Sequence, residues 1–530
     1  MERRSTSLVK GAAILGLAGI ICKIIGVLFR IWAYGIIGEE GMVFYEIVFP
    51  FYSWLLILSS SGLPIAISRM VSERAAVGDF AGARKVFQRS LLALLVLGLV
   101  STCVLFFGAD FISTGILQLS PDLALSFRCL APALLFVSLL CAYRGYLQGM
   151  QLMTGTGVSQ IAEQVFKCVI GLYLASLWIV RSPAWGAAGT LIGVSASEAL
   201  ALGVMMLFTL KHKRQLLPLG CSMTPKNSSQ ILSTMVKIAL PITIGASILP
   251  LTSMLDIKMI YSIMGKYLSE SAIDSAYVAL STNVRSLINL PASLTTALAI
   301  SIVPTIAASR ARKDENGVKL ASQLGLKLSM VVGLPCAAGL FVLGGPVIQM
   351  LFRSISPESL EIATRIMRFA SISVIFISLV QTMTGALQGV GKQRLPVYFL
   401  AAGAAAKIIT NLVLLRIPEV GIVGASISNI ACYAVAGILD AIALCRVIKL
   451  KPNIAGCFIK PLTASLIMGE LVFFVYKLLY ALHPGTLVTL VSVIVGIVTY
   501  LLLLFALRVF TPQELSYIPG GARLKRFYKR

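Results

Sequence analysis

Apolar runs long enough to cross a membrane fill almost the whole chain, and they restrict it to one class of fold. A helix needs roughly 20 apolar residues to cross about 30 Å of hydrocarbon. About fourteen such runs follow one another, at roughly 10–37, 42–68, 90–117, 123–149, 155–180, 186–210, 232–263, 276–309, 321–350, 360–389, 395–415, 421–445, 461–482 and 485–509. Charged residues make up 12% of the chain, against about 25% in soluble domains. The sequence therefore predicts an all-α polytopic membrane protein with about fourteen transmembrane helices.

An internal repeat divides these helices into two groups. The pattern Gly-x-Leu-Gln-Gly occurs at 145–149 and again at 385–389, and Lys167 recurs as Lys407 at the same offset of 240. After a shorter hairpin, a second set of residues recurs at an offset of 235, with Arg181, Pro183, Gly186 and Gly189 matching Arg416, Pro418, Gly421 and Gly424. Paired repeats around a central site are usual in secondary transporters.

The repeat and the run boundaries predict how the chain is divided. An N-terminal lobe with helices one to six occupies 1–215, a cytoplasmic linker follows at 216–231, and a C-terminal lobe with helices seven to twelve occupies 232–450. Two further helices lie at 451–510, and a basic cytoplasmic tail at 511–530.

The positive charge lies almost entirely in alternate loops. A net charge of +24 would indicate nucleic acid as a partner of a soluble protein. Here the loops on one side carry most of the lysines and arginines, whereas the loops on the other side carry only four, namely Arg181, Lys266, Arg353 and Arg416. Because basic loops stay in the cytoplasm, both termini are predicted to be cytoplasmic. We expect the basic tail to contact anionic lipids and no nucleic acid to bind.

The residues of common catalytic and metal sites do not form a recognisable pattern. The cysteines are scattered through apolar spans, and His212 and His483 lie far apart in loops, so no disulfide, metal site or cofactor is predicted. The segment from Gly385 to Lys392 is not a phosphate-binding loop, because its spacing is one residue too long and Gln393 replaces the required Ser or Thr. The chain is not expected to be an enzyme.

Ionisable residues inside the predicted spans require an explanation, because each costs about 2.5–3.5 kcal/mol at the centre of a membrane helix. In the first span, Gly19, Lys23, Gly26 and Arg30 share one face of the helix. A face of glycines and cations is unfavourable against lipid. It suits a wet cavity, where glycine lets a ligand or another helix approach.

Further polar features fall in three other spans. The second contains Glu46 and a helix-breaking Ser-Ser-Ser-Gly run at 59–62, the seventh contains Asp256 and Lys258, and the eighth contains Arg285. The prediction is a cationic central cavity, with Lys23, Arg30, Lys258 and Arg285 binding substrate and Glu46 and Asp256 as counter-charges or coupling groups. The alternative is that the residues nearer the outer surface extend to the interface without lining a cavity.

One more pair of charges follows the helical period. Glu163 precedes Lys167 by four residues in the fifth span, the favourable order for an ion pair along a helix. The sequence therefore predicts a structural pair between them. At the equivalent place in the second repeat, Lys407 follows Gly403, so no matching pair is predicted there.

Three segments carry a resemblance to a known family: GLPIAISRMVSERAAVGDFAGARKVF from Gly62, YRGYLQGMQ from Tyr143 and SQIAEQVFK from Ser159. They resemble the polysaccharide transporter branch of the multidrug/oligosaccharidyl-lipid/polysaccharide (MOP) exporters, including stage V sporulation protein B and the MurJ-type lipid II flippases. The resemblance implies a MATE-like fold of two six-helix lobes that alternate access to a central cleft. It also implies cavity cations on helices one and eight, which correspond here to Lys23, Arg30 and Arg285.

The resemblance and the charges together favour one function. A diphosphate head group requires two or more nearby cations, and arginine can bind it through two hydrogen bonds. We expect a flippase that moves undecaprenyl-diphosphate-linked lipid II to the outer leaflet of a bacterial plasma membrane, serving peptidoglycan synthesis, cell shape or sporulation, with cell-wall synthesis proteins as further partners. Alternatives are a flippase for another lipid-linked polysaccharide, a cation-coupled multidrug exporter of the same fold, or a non-transporting scaffold.

Overall fold

A computed structural model describes residues 2–60, 62–212, 216, 228–511 and 514. Its fifteen α-helices are α1 Glu2–Ser60, α2 Leu63–Ala76, α3 Phe80–Phe107, α4 Leu123–Gly149, α5 Met153–Trp178, α6 Pro183–Lys211, α7 Ser228–Met264, α8 Glu270–Val278, α9 Arg285–Ala311, α10 Glu315–Leu351, α11 Pro357–Gly389, α12 Arg394–Leu414, α13 Val423–Ile448, α14 Lys460–Leu482 and α15 Thr486–Ala506. Short π-helical segments occupy Phe111–Leu117, Ala279–Val284 and Ala455–Ile459. The predicted linker and basic tail lie largely outside the described residues.

The all-α membrane fold is confirmed. Within the described ranges, twelve helical stretches are long and apolar enough to cross a membrane. The stretch Leu15–Ala76 combines the first two predicted spans, and the other eleven match the third to seventh and ninth to fourteenth. The eighth predicted span corresponds to α8, a π-helical segment and α9, which follow one another from Glu270 to Ala311.

The first two spans form one helix with a kink instead of two helices with a loop. Gly38 alone departs from helical geometry inside α1, with φ 67° and ψ −172°, a conformation that favours glycine. The helix ends at Ser60 and a new one begins at Leu63, with Pro64 in its first turn. The predicted break at 59–62 is therefore present. At that break Gly62 lies against α7, where a Cβ would be 2.3 Å from the Ala239 carbonyl oxygen.

The chain separates into two compact units, Met1–Lys258 and Met259–Arg530. In the first, apolar side chains from α2, α4, α6 and α7 form a common core that includes Ile67, Tyr146, Leu202 and Met235. The second contains one cluster shared by α9, α10, α11 and α13, and another in which α14 and α15 pack on α10. The predicted lobe boundary in the linker 216–231 remains a prediction.

The repeated glycines make the same kind of contact in both units. In the first, a Cβ on Gly145 of α4 would lie 2.9 Å from the Cβ of Ile67 on α2. In the second, a Cβ on Gly389 of α11 would lie 3.0 Å from the Cβ of Ile306 on α9. The sequence repeat is therefore also a repeat of packing, in which glycine allows close approach of two helices.

A buried ion pair fixes the segment after the last helix to the second unit. The Lys327 ammonium on α10 lies 2.7 Å from both carboxylate oxygens of Glu514 and donates to the Val509 carbonyl at 3.0 Å. The two charged side chains are 1% and 3% exposed. The chain beyond α15 therefore folds back to neutralise a lysine that would otherwise be a buried, unpaired charge.

Candidate functional site

The kink in α1 places two predicted site residues opposite each other. Arg30 lies eight residues before Gly38 and Glu46 eight residues after it, and the Arg30 Nε lies 3.5 Å from the Glu46 Oε1. Their side chains are 16% and 2% exposed. The sequence named both residues, and the folded α1 brings them together as an ion pair.

The rest of the predicted stripe on α1 is less buried. Lys23 is exposed, one turn before Gly26. A Cβ on Gly26 would lie 3.9 Å from the Gln164 Oε1. The glycine therefore marks where α1 approaches α5, and it brings the Arg30 region beside the helix that carries Lys167.

Aromatic rings surround the cations at this contact. The Lys167 Nζ lies 4.5 Å from the centre of the Phe29 ring and 5.9 Å from that of Phe49. The Arg30 Cζ also lies 5.9 Å from the centre of Phe49, whose ring stacks on that of Tyr45. A cation over a ring face gains about 0.5–1 kcal/mol when exposed and about 2 when desolvated, so these rings hold both cations in place.

The predicted ion pair between Glu163 and Lys167 is wrong. The Glu163 Oε2 accepts instead from the Arg144 Nη2 on α4, at 2.8 Å, and its Oε1 accepts from the Gln164 side chain at 3.2 Å. Ion pairs along one helix contribute only about 0.2–0.5 kcal/mol. A guanidinium on a neighbouring helix forms the stronger, charge-assisted bond, which leaves Lys167 to the aromatic rings.

A second acidic residue lies close to this pair. Glu198 on α6 is 6% exposed, and it lies within electrostatic reach of Glu163, Arg144 and Lys167. Sequence reasoning assigned no role to Glu198. The first unit thus contains a group of charges from α4, α5 and α6, next to the Arg30–Glu46 pair on α1. Glu198 is buried, and Arg144, Glu163 and Lys167 are half-buried.

The two predicted charges on α7 differ in exposure. Asp256 is buried and Lys258 is exposed. Both lie in the first unit. Their roles as counter-charge and substrate ligand remain predictions.

Arg285 lies in the second unit, where the helix geometry changes. It is half-buried and is the first residue of α9, directly after the π-helical segment Ala279–Val284. Short π-helical segments occur frequently at functional sites. The cavity predicted to combine Arg285 with the three cations of the first unit remains a prediction.

Sequence reasoning did not identify Lys167 as a candidate ligand. Because Lys167 follows Glu163 by four residues, an ion pair along the helix was predicted, and contacts of Lys167 with other helices were not considered. The signal that was present is the recurrence of this lysine as Lys407 without any acidic residue four positions before it. The lysine is thus present in both repeats, whereas the acid four residues before it is present in one.

Fold and site together define a class of protein. Long apolar helices, an internal repeat and ionisable side chains inside the spans are features of multi-pass membrane transporters. The profile of the polysaccharide biosynthesis protein family matches residues 8–310, more than half of the chain, and the MatE profile matches residues 229–413. The chain belongs to the polysaccharide biosynthesis protein family.

Individual relatives support the same assignment. The chain is 26% identical over 537 residues to the uncharacterized membrane protein YabM of Bacillus subtilis (strain 168), covering 98% of this chain and 96% of the relative. It is 24% identical over 432 residues to the lipid II flippase MurJ of the same organism, covering 78% of each. A solved structure of lipid II flippase MurJ, in an inward closed conformation, matches with a TM-score of 0.68 and 16% identity, over 93% of this chain and 98% of that one. The chain therefore shares the fold of this MurJ structure.

Proposed function

We propose that the chain moves undecaprenyl-diphosphate-linked lipid II from the inner to the outer leaflet of a bacterial plasma membrane by alternating access. The observation that carries this proposal is the half-buried cation Arg30 on α1, which lies beside the Phe49 ring and the Glu46 carboxylate. A diphosphate needs such cations, while its polyprenyl tail can remain in lipid.

The proposal requires two mobile bodies and a defined orientation. The lobes predicted at 1–215 and 232–450 are the natural candidates for the bodies that rock against each other around the substrate. In this proposal both termini are cytoplasmic, as the distribution of basic residues among the loops predicts. The proposal includes a role in peptidoglycan synthesis, with a part in cell shape or sporulation. It also includes contacts with anionic lipids and with cell-wall synthesis proteins.

Two other transported substrates are compatible with the family. Another lipid-linked polysaccharide unit would present the same diphosphate and use the same cations. A cationic drug would favour a cleft dominated by carboxylates, whereas the predicted site has four cations, Lys23, Arg30, Lys258 and Arg285, and only two acids, Glu46 and Asp256. The charge balance therefore favours the anionic lipid.

The test measures lipid II at the outer surface of cells depleted of their own flippase. The cells carry this chain, its Arg285→Ala variant, or a Lys319→Ala control near the start of α10, at matched expression. We expect the wild type and the control to restore exposure of lipid II and Arg285→Ala to lose most of it. If well-expressed wild type restores nothing, lipid II is not the substrate, and another lipid-linked glycan becomes the first candidate.

A further inference from the structure

Lys167 lies close to the middle of its membrane helix and has an unusual environment. The helix spans Met153–Trp178, so its charge lies at a depth where an isolated ammonium is costly. The nearest acid along the helix, Glu163, is engaged by Arg144. Among the described residues, no carboxylate oxygen lies within 4 Å of the Lys167 Nζ. Its Nζ lies 4.5 Å from the centre of the Phe29 ring and 5.9 Å from that of Phe49.

We infer that Lys167 binds a phosphate of the transported head group together with Arg30, with Phe49 holding both cations in position. The Lys167 Nζ and the Arg30 Cζ are each 5.9 Å from the centre of the same Phe49 ring. They are therefore separated by no more than about 12 Å. This inference rests on the proposed function and adds a substrate ligand that its predicted site lacks.

The aromatic contacts leave the ammonium available for a ligand. A lysine has three N–H donors, and a ring face attracts the cation without the directional bonds that a carboxylate would form. The rings therefore fix the position of Lys167 while its donors remain free to meet an anion. Glu198 lies within electrostatic reach but beyond 4 Å, so it lessens the local positive charge without occupying the ammonium.

Arg30 lies beside an acid, with its Nε 3.5 Å from the Glu46 Oε1. A phosphate at Lys167 would therefore meet the guanidinium next to that carboxylate. Arg144 donates to the Glu163 carboxylate at 2.8 Å, and we assign it no contact with the substrate.

The test measures binding of two soluble probes to the purified full-length protein in nanodiscs. Farnesyl diphosphate and farnesyl monophosphate share one tail and differ by one phosphate. We expect Lys167→Gln to weaken farnesyl diphosphate by about tenfold to a hundredfold, the loss of one hydrogen bond to a charged group. The preference for diphosphate over monophosphate should shrink with it, an effect that a merely structural role would not produce.

Two further variants control for charge and for folding. Lys167→Arg keeps the charge and should retain most of the affinity. Lys477→Gln removes an exposed lysine from α14, in the second unit, and should bind like the wild type. If Lys167→Gln fails to give a monodisperse protein, Lys167→Met, which is better suited to an apolar environment, replaces it.

The outcomes separate this inference from the proposed function. Wild-type binding with an unchanged affinity in Lys167→Gln would overturn the role of Lys167 and leave the flippase proposal standing. Failure of the wild type to bind either probe would count against both. An equal loss for diphosphate and monophosphate would also overturn the inference, because it would indicate general damage to the site.

Discussion

Lys167 in the first unit and Lys407 in the second occupy equivalent positions of the internal repeat, but their surroundings differ. Lys167 is half-buried and lies beside two phenylalanine rings. Lys407 is 4% exposed on α12. Four residues earlier, the first unit has Glu163 and the second has Gly403, where a Cβ would lie 2.4 Å from the Cys432 carbonyl oxygen.

The residues that contact these positions from the neighbouring helices have diverged as well. Arg144, which binds Glu163, corresponds to Thr384, which donates to the Asp440 carboxylate at 2.7 Å. An ion pair in one unit is thus matched by a neutral hydroxyl bound to a carboxylate in the other. The two halves share a packing frame set by glycines, whereas the charges inside that frame are specific to each half.

The largest effect we predict concerns a charge pair that only the second unit has. Lys327→Ala should lower the free energy of unfolding by about 3–5 kcal/mol, because it leaves the Glu514 carboxylate buried and unpaired. Denaturation in mixed micelles measures this change. The double variant Lys327→Met with Glu514→Met should recover most of the loss. A loss below about 1 kcal/mol in the single variant would mean that the pair is open to water.

The next prediction tests the divergence between Arg144 and Thr384 directly. Arg144→Met should lower the free energy of unfolding by about 2–4 kcal/mol. This loss is smaller than the one at Lys327 because Arg144 and Glu163 are each 16% exposed. Thr384→Val removes a hydrogen bond from Asp440 and should cost about 1–2 kcal/mol. The same unfolding experiment compares the two variants. The double variant Arg144→Met with Glu163→Met is the control, because it removes both charges of the pair and leaves no unpaired carboxylate. Equal losses at the two positions would remove the energetic difference between the units.

The sequence predicted the backbone well and the contacts between side chains poorly. The helical spans and the break near Gly62 could be predicted because apolar length and helix-breaking residues act locally. The Glu163–Lys167 pair was wrong because the spacing along one helix carries no information about Arg144, which approaches from another helix. The same limit applies to Lys167, whose ring contacts come from α1.

The last prediction concerns the shared packing frame itself, at the glycine pair Gly145 and Gly385. A Cβ on Gly145 would lie 2.9 Å from the Ile67 Cβ and from the Pro64 carbonyl oxygen, whereas on Gly385 the nearest atoms are side-chain carbons at 3.3 Å. Gly145→Ala should therefore cost about 1–3 kcal/mol through overpacking.

In Gly385→Ala, small shifts and the better helix propensity of alanine, worth about 1 kcal/mol, should leave stability nearly unchanged. Unfolding in mixed micelles compares the two variants, and the difference between them measures how far even the shared frame has diverged. Equal costs would mean that α9 and α11 are as rigidly packed as α2 and α4, so that the asymmetry of the molecule would be confined to its charges.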